Sequence, residues 1–167
     1  SYSGAMNMAL DDVLLKGVQE GGNPVVRFYS WEPPAISFGY AQDPYSEVDV
    51  DRCLEMGIDL VRRPTGGRAV LHWAELTYSV VAPLDNSVIW GQRIHEAYRV
   101  IGHCLVKGLK KYGIDAELEK GQIDVERRPK GKTAIPCFSS IARSEVKLNG
   151  RKLVGSAQRR FSGAMLQ

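Results

Sequence analysis

The dipeptide Asn149-Gly150 lies in the middle of the segment RSEVKLNGRKLVGSAQRR, residues 143–160. A two-residue type I′ turn requires positive φ at both central positions, and Asn followed by Gly is the pair that adopts it most readily. The segment is therefore predicted to form an antiparallel hairpin. This hairpin limits the chain to folds that contain antiparallel sheet.

The pattern of apolar residues predicts helices and further strands around this hairpin. Ser3 is the expected N-cap of a first helix that runs to about Val18, Ser46 is the expected N-cap of a helix over 46–56, and residues 90–111 carry the clearest helical stripe. The other predicted strands are residues 24–31, 35–40, 57–63, 75–83 and the short segment 115–120. Since strands outnumber helices and a long helix covers one side, the predicted class is α+β, a largely antiparallel mixed sheet flanked by helices.

The composition excludes several classes of protein. With 167 residues, 44% of them hydrophobic and 25% charged, the chain suits one globular domain, which we expect to span residues 1–167. A net charge of +3 is too small to argue for nucleic acid, and no apolar run approaches the length of a membrane span. The three cysteines are too widely spaced for a disulfide framework or a zinc site, which favours a reducing, cytoplasmic setting.

The two ends of the chain suggest a fragment. It begins at Ser1 rather than at Met, and it stops at Gln167 in what resembles a strand without a cap. We therefore expect the domain to be incomplete at its C-terminus.

A Gly-rich turn in RRPTGGRAVLH, residues 62–72, is the first segment that can carry chemistry. Gly66 and Gly67 let a ligand lie against bare backbone N–H groups. The cations that bracket this turn, suited to a phosphate or a carboxylate, are Arg62, Arg63 and Arg68. A tight hairpin turn with solvated arginines explains the same residues about equally well.

Cys137 and Lys152 form the second candidate pair. Cys137 follows a polar stretch, residues 119–133, that is predicted as a flexible loop, whereas Cys53 and Cys104 lie on apolar helix faces and are expected in the core. Lys152 follows the hairpin turn and precedes the small residues Gly155, Ser156 and Ala157. An ammonium near a cysteine favours the thiolate and lowers the pKa of the thiol. The alternative for Lys152 is a solvated strand lysine.

Three segments together resemble the lipoate–protein ligase A and octanoyltransferase family, a branch of the biotin/lipoyl protein ligase (class II synthetase-like) fold. They are SGAMNMALDDVLL (3–15), VRRPTGGRAVLHWAELTYSVV (61–81) and GRKLVGSAQRR (150–160). The Gly-Gly-Arg form of the turn and the presence of Cys137 resemble the LipM-type octanoyltransferases. Trp73 stands where the family usually has Asp.

The resemblance implies acyl transfer through a cysteine thioester. Cys137 would be the nucleophile that takes an octanoyl group, and Lys152 would lower the pKa of its thiol and contact the acyl carbonyl. The implied substrate-binding residues are Arg63, Gly66, Gly67, Arg68, Val70, His72, Gly155, Ser156 and Ala157. The implied reaction needs no cofactor and no metal.

The same resemblance implies the partners. The donor would be octanoyl-acyl carrier protein and the acceptor a lysine on a lipoyl domain, such as glycine-cleavage protein H or an E2 subunit, without nucleic acid or membrane. A basic surface that includes Arg159 and Arg160 would attract these acidic proteins, although a solvated strand end explains the two arginines equally well. The alternatives are an ATP-dependent lipoate–protein ligase, which would require ATP and Mg²⁺, and a non-catalytic module that binds an acyl group or lipoate.

Overall fold

Residues 1–85, 87–91, 93–119 and 145–167 are described by the structure, a computed structural model of the chain. Contacts between Cα atoms group the chain into two units, one made of Ser1–Asp85 with Ala157–Gln167 and one of Asn86–Ser156. The single domain expected over residues 1–167 stays a prediction. Cys137 and the predicted loop beyond Glu119 lie outside the described residues.

The described residues form helices and short strands in the proportions expected of an α+β protein. The helices are α1 (Gly4–Gln19), α2 (Pro44–Glu47), α3 (Val50–Glu55), α4 (Ser87–Trp90) and α5 (Ile94–Lys111). The strands are β1 (Val25–Tyr29), β2 (Ala35–Phe38), β3 (Asp59–Arg62), β4 (Val70–His72), β5 (Thr77–Pro83), β6 (Glu117–Leu118), β7 (Val146–Leu148), β8 (Arg151–Val154), β9 (Arg159–Arg160) and β10 (Ala164–Leu166). Only the pairing of β2 with β3 is parallel among the described strands, so the predicted class is confirmed.

Helix α1 begins where the sequence predicts. The Ser3 side chain accepts a hydrogen bond from the Met6 amide at 3.3 Å, which satisfies one of the free N–H groups of the first turn. The helix packs on the antiparallel sheet with the strand order β1-β5-β10-β9. The core between them consists of Leu15, Val18, Val81, Ala164 and Leu166.

A buried polar cluster joins α1 to this sheet. Arg27 on β1 pairs with Asp11 on α1 at 2.7 Å, and Asp11 also accepts hydrogen bonds from Ser79 at 2.9 Å and from the Tyr29 hydroxyl at 3.2 Å. Burial, reinforced by the charge of Asp11, raises the pKa of Tyr29 above its ordinary value. Because each charged group has a partner, the cluster orients the helix without leaving a charge unpaired in the core.

The second sheet has β2 between β3, which is parallel, and β4, which is antiparallel. In its register Ser37 lies opposite Val70 and Ala35 lies opposite His72. Ile36, Phe38 and Ile58 form the core on this side. The C-terminal ends of β2 and β3 and the N-terminal end of β4 therefore lie at the same edge of the sheet, beside the Gly66–Gly67 turn.

The predicted helix over 46–56 is wrong in detail. Two short helices occupy this region, capped by Asp43 and Asp49 rather than by Ser46. Val48 between them is extended, with φ −143° and ψ 159°. Each aspartate accepts a hydrogen bond from a backbone amide of its own first turn, so the two caps divide the segment.

The second unit contains α4, α5 and the sheet β6-β7-β8. Asn149 and Gly150 have φ of 51° and 75°, so the turn predicted between β7 and β8 is confirmed. Helix α5 is also confirmed, and it buries Ala97 and Ile101. Cys104 is exposed, which corrects the expectation that it belongs to the core.

No helix among the described residues is long and apolar enough to cross a membrane.

Candidate functional site

The Gly66–Gly67 turn is held from inside by the guanidinium of Arg63. Its Nη2 donates to the Gly66 carbonyl at 2.7 Å and to the Arg68 carbonyl at 2.8 Å, and its Nη1 donates to the Ser37 carbonyl at 2.7 Å. One side chain therefore ties both sides of the turn to strand β2. This arrangement gives Arg63 a structural contact with the turn, and its contact with a substrate stays a prediction.

Gly39 packs against the same turn from the other side. A Cβ atom at Gly39 would lie 2.1 Å from the Gly67 carbonyl oxygen, a distance that no real side chain tolerates. Gly67 itself has φ of 94°, a conformation that residues with a Cβ rarely adopt. Within the described residues the amides of Gly66 and Gly67 donate to no group, so the turn presents N–H donors of the kind that the sequence predicts.

Arg62 also binds backbone. Its Nη1 donates to the carbonyls of Gly39, Tyr40 and Gln42 at 3.3, 2.9 and 2.5 Å. The residue is exposed, so its charge contributes to the surface potential, but its donors hold the segment that follows β2. Arg68 is exposed beside the turn, and its contact with a substrate stays a prediction.

His72 is buried, and both of its ring nitrogens have partners. Nε2 lies 2.7 Å from the Ser37 hydroxyl, and Nδ1 lies 2.5 Å from the Glu75 carboxylate. The indole of Trp31 stacks on the imidazole with ring centroids 4.1 Å apart. His72 therefore has its polar atoms turned to the protein, and the predicted contact with an acyl chain stays a prediction.

Glu75 is the acidic end of this group. Its carboxylate accepts a hydrogen bond from Thr77 at 2.8 Å, and Thr77 in turn accepts one from the Trp31 indole N–H at 2.7 Å. Burial alone would raise the pKa of Glu75, but the interaction with His72 and the hydrogen bond of Thr77 outweigh it. The pKa of Glu75 is held below its ordinary value, so the carboxylate is ionised at neutral pH.

The segment that enters β9 lies against the turn. Ala157 lies 3.8 Å from the position of a Cβ at Gly67. Arg159 donates to the Pro64 carbonyl at 3.3 Å, and its guanidinium stacks on the ring of Tyr40 at 4.1 Å. These contacts bring Ala157 and Gly67 together, two of the predicted substrate-binding residues. Val70 lies half-buried on the strand that leaves the turn.

Lys152 belongs to the hairpin of the second unit, where it forms a buried ion pair. Its Nζ lies 2.6 Å from a carboxylate oxygen of Glu145, and the two side chains are 7% and 11% exposed. A solvated strand lysine, the alternative that the sequence left open, is therefore wrong. Gly155 and Ser156 follow in the same unit, and the predicted proximity of Lys152 to Cys137 stays a prediction.

The neighbouring Lys147 has a different setting. It bridges Glu119 at 2.9 Å and Glu117 at 3.6 Å across the strands β6 and β7. The hydrogen bond from Lys147 to Glu119 raises the pKa of the lysine above its ordinary value. Two lysines of one hairpin thus have separate acidic partners.

Sequence reasoning missed Ser37, Glu75 and Glu145. In a regular hairpin centred on Asn149-Gly150, residues 145 and 152 would be diagonal neighbours. The register of β7 and β8 shifts between Val146 and Lys147, so sequence spacing alone does not give this contact. Glu75 follows His72 by three residues. Outside a helix this spacing does not predict that the two side chains are in contact. Ser37 is 35 residues from its partner His72, and only the register of β2 with β4 brings them together.

Comparison with known protein families gives one match over nearly the whole chain. The model of the lipoyl protein ligase A/B catalytic domain matches residues 3–167.

Two curated relatives are similar over the full length of this chain. Octanoyltransferase LipM of Clostridioides difficile is 46% identical over 169 residues, and that of Carboxydothermus hydrogenoformans is 43% identical over 168 residues. Each alignment covers 100% of this chain but 60% of the relative. The chain therefore spans less than two thirds of the length of these relatives.

Solved structures give the same fold. A Thermoplasma acidophilum protein described as a lipoate protein ligase, with lipoic acid bound, superposes with a TM-score of 0.74 at 29% identity, covering 96% of this chain and 59% of its own. A lipoate-protein ligase A with ATP bound has a TM-score of 0.73 at 30% identity, covering 96% and 58%. A bipartite lipoate protein ligase from Thermoplasma acidophilum, studied with its E2 lipoyl domain, has a TM-score of 0.70 at 25% identity, covering 99% and 56%.

Proposed function

The chain belongs to the lipoyl protein ligase A/B catalytic domain family, and from this premise we propose that it transfers an octanoyl group from acyl carrier protein to a lipoyl domain. The observation that carries the proposal is 46% identity to an octanoyltransferase LipM along the entire chain. Cys137 is the proposed acyl carrier within the protein.

The reaction proceeds in two balanced half-steps. The thiolate of Cys137 attacks the carbonyl carbon of the octanoyl thioester, a new S–C bond forms, and the S–C bond to the carrier breaks with release of its thiol. The amine of the acceptor lysine then attacks the Cys137 thioester, an N–C bond forms, the S–C bond to Cys137 breaks, and the released thiolate takes up the proton that the nitrogen loses. The first exchange is close to thermoneutral and the amide is more stable than the thioester, so no ATP or metal is required.

Lys152 supplies positive charge for this chemistry. Its ammonium favours the thiolate of Cys137 and donates a hydrogen bond to the acyl carbonyl as negative charge develops there. An ammonium has three N–H donors and can therefore bind more than one acceptor. Glu145 fixes the amine in place so that it does not have to be ordered during the reaction.

The Gly66–Gly67 turn forms the floor beneath the acyl chain. Val70 and Ala157 border the turn, and Gly155 and Ser156, which follow the lysine hairpin in sequence, are proposed as further substrate-binding residues. The imidazole of His72 is part of the wall behind the turn. Arg63 acts here through the turn carbonyls that it binds, and Arg68 contributes charge at its edge.

The donor and the acceptor are both proteins in this proposal. The donor is octanoyl-acyl carrier protein, and the acceptor is a lipoyl domain of glycine-cleavage protein H or of an E2 subunit. The similarity to a ligase studied with an E2 lipoyl domain supports the acceptor class. Because such domains are acidic, the charges of Arg62, Arg68 and Arg159 would speed their encounter in low salt. The proposed location is the cytoplasm.

The second candidate is an ATP-dependent lipoate–protein ligase. The similarity to ligases solved with lipoic acid and with ATP favours it. In that reaction ATP and Mg²⁺ would activate the carboxylate, and Cys137 would have no covalent role. A third candidate, a module that binds an acyl group without turnover, requires neither the thioester nor ATP.

One incubation distinguishes the three. The full-length protein is mixed with octanoyl-acyl carrier protein without ATP, and its mass is measured before and after removal of the carrier. The proposal predicts a gain of about 126 Da on the peptide that contains Cys137, which is absent in C137A. An active protein that gains no mass, or a C137A variant that retains transfer, overturns the thioester route, and transfer that depends on ATP supports the ligase.

A further inference from the structure

A continuous path of hydrogen bonds runs behind the Gly66–Gly67 turn, and the acyl-transfer chemistry does not use it directly. It starts at Arg63, whose Nη1 lies 3.0 Å from the Ser37 hydroxyl, and continues from Ser37 to His72 at 2.7 Å. From His72 it reaches Glu75 at 2.5 Å, where Thr77 adds a second hydrogen bond to the carboxylate.

The direction of each bond in the path follows from the groups at its two ends. A guanidinium only donates, so Ser37 accepts from Arg63, and an ionised carboxylate only accepts, so Glu75 accepts from His72 Nδ1–H. Within the described part of the chain, the Ser37 hydroxyl contacts only Arg63 and His72. Its own proton therefore goes to Nε2, and His72 is a neutral imidazole with its proton on Nδ1.

The order Ser37, His72, Glu75 is also that of a serine–histidine–acid triad. The surroundings exclude a nucleophilic role for the serine. Ser37 is 1% exposed, and its oxygen is already engaged by the Arg63 guanidinium. An acyl carbonyl has no route to this oxygen, so the path acts on the protein itself.

The Arg63 end of the path shows which part of the protein the path holds. The same Arg63 guanidinium that donates to Ser37 also binds the carbonyls of Gly66 and Arg68. Loss of the Ser37 hydroxyl removes the partner of His72 Nε2, and loss of the Glu75 carboxylate removes the partner of His72 Nδ1, so either change leaves a polar atom of the buried imidazole unpaired. The Arg63 guanidinium also donates to the Ser37 carbonyl, so the Ser37 hydroxyl supplies one of its contacts and links that contact to Glu75 through His72.

We propose that Ser37 and Glu75 are positioning residues that, through His72 and Arg63, fix the backbone of the Gly66–Gly67 turn. Glu75 selects the Nδ1–H tautomer of His72, which makes Nε2 an acceptor for Ser37. Ser37 then presents its lone pair to Arg63, and Arg63 holds the turn carbonyls. The effect on the turn stands by itself, while the effect on acyl transfer rests on the proposed function.

Four variants of the full-length protein test the proposal. S37A cuts the path between His72 and Arg63. E75L removes the acceptor for Nδ1–H, whereas E75Q retains an oxygen that can accept it. S79A is the matched control, because Ser79 is a buried serine, 3% exposed, whose hydroxyl bonds Asp11 instead of the path.

Nitrogen-15 NMR tests the path without an enzyme assay, because it reports the tautomer of His72 and the amide signals of the turn. We expect long-range ¹H–¹⁵N correlations to show the neutral Nδ1–H tautomer of His72 in the wild type and in E75Q, and a different tautomer or a mixture in E75L. The amide signals of Gly66 and Gly67 should shift in S37A and E75L and remain in place in S79A. A wild-type His72 that is protonated or carries its proton on Nε2 overturns the proposal, as do turn signals that respond equally to S37A and S79A.

Transfer kinetics test the consequence for substrate binding. S37A and E75L should raise the KM for octanoyl-acyl carrier protein about tenfold, the equivalent of one buried hydrogen bond, while kcat changes less than about twofold. E75Q should have a KM close to that of the wild type, unlike E75L. A role that depended only on the negative charge of Glu75 would predict a raised KM in both variants. Equal impairment by E75Q and E75L overturns the positioning role. A wild type that transfers no octanoyl group overturns the proposed function, and the NMR comparison then still decides the inference about the turn.

Discussion

The carboxylate of Glu145 lies 2.6 Å from the ammonium of Lys152, and both side chains are almost completely buried. An ion pair in this setting offsets the loss of hydration of each charge by the attraction between them. Removal of one partner leaves the other charge buried without this counterion, whereas removal of both does not. The pair therefore couples the position of the proposed catalytic lysine to the stability of its hairpin.

E145A should destabilise the protein by about 3 kcal/mol, because it leaves the Lys152 ammonium buried without this carboxylate. The double variant E145L/K152M should recover most of that loss, since it replaces the pair by apolar side chains. The free energy of unfolding is measured by urea denaturation. The control is E55A, which breaks the exposed pair of Arg52 with Glu55 and should cost less than about 0.5 kcal/mol. Equal losses in E145A and E55A would contradict a buried pair.

E145Q should make Cys137 more acidic if the two sites cooperate as proposed. The carboxylate partly neutralises the field of Lys152, so its replacement by an amide exposes the thiol to more positive charge. The rate of alkylation by iodoacetamide, followed against pH, should shift to lower pH in E145Q and to higher pH in K152M. Overlapping profiles of all three proteins would show that Lys152 does not act on Cys137.

G39A should destabilise the protein, because a side chain at position 39 would collide with the Gly66–Gly67 turn. The added Cβ would overlap the Gly67 carbonyl oxygen, a backbone atom that cannot rotate away as a flexible side chain can. We expect a loss of more than about 2 kcal/mol in urea denaturation. The matched control is G17A in α1, where a Cβ meets nothing within 4 Å and should stabilise the helix by about 0.5–1 kcal/mol. A neutral G39A would mean that strand β2 is displaced from the turn.

The contribution of Glu75 to stability should disappear in acid. Its pKa in the folded protein lies below the ordinary Glu value of 4.5, so the stabilisation is present above about pH 4.5 and is lost as the pH falls through the folded pKa. E75Q has no such group. Urea denaturation at several pH values should show wild type more stable than E75Q at pH 7, with the gap closing in acid. A difference in the free energy of unfolding that grows as the pH falls would contradict a lowered pKa of Glu75.

Local signals in the sequence predicted those features of the fold that depend on neighbouring residues. The φ preferences of Asn149 and Gly150 determine the hairpin turn, and the Ser3 hydroxyl caps α1 as predicted. The helix cap at Ser46 was wrong because two aspartates compete with it. Each of them, Asp43 and Asp49, binds an amide in its own first turn, and a rule based on residue type ranks all three alike.

Exposure and long-range contacts were less predictable. Cys104 shares the periodicity of the apolar stripe of α5, yet it is exposed while Ala97 and Ile101 are buried. A helical stripe indicates a face but not how much of that face a neighbouring strand covers. The path from Ser37 to Glu75 depends on the register between β2 and β4, which no local pattern of the sequence contains.

The different surroundings of the two turn glycines have a consequence for engineering substrate range. Gly67 requires its positive φ, and a Cβ there would press on Arg63 at 2.9 Å, while a Cβ at Gly66 would make only ordinary contact with Tyr40 at 3.7 Å. A library that keeps Gly39 and Gly67 and randomises position 66 would therefore preserve the backbone while it changes the shape of the proposed acyl floor. Under the proposed function, residue 66 is the place where a bulkier side chain would shorten the accepted acyl chain.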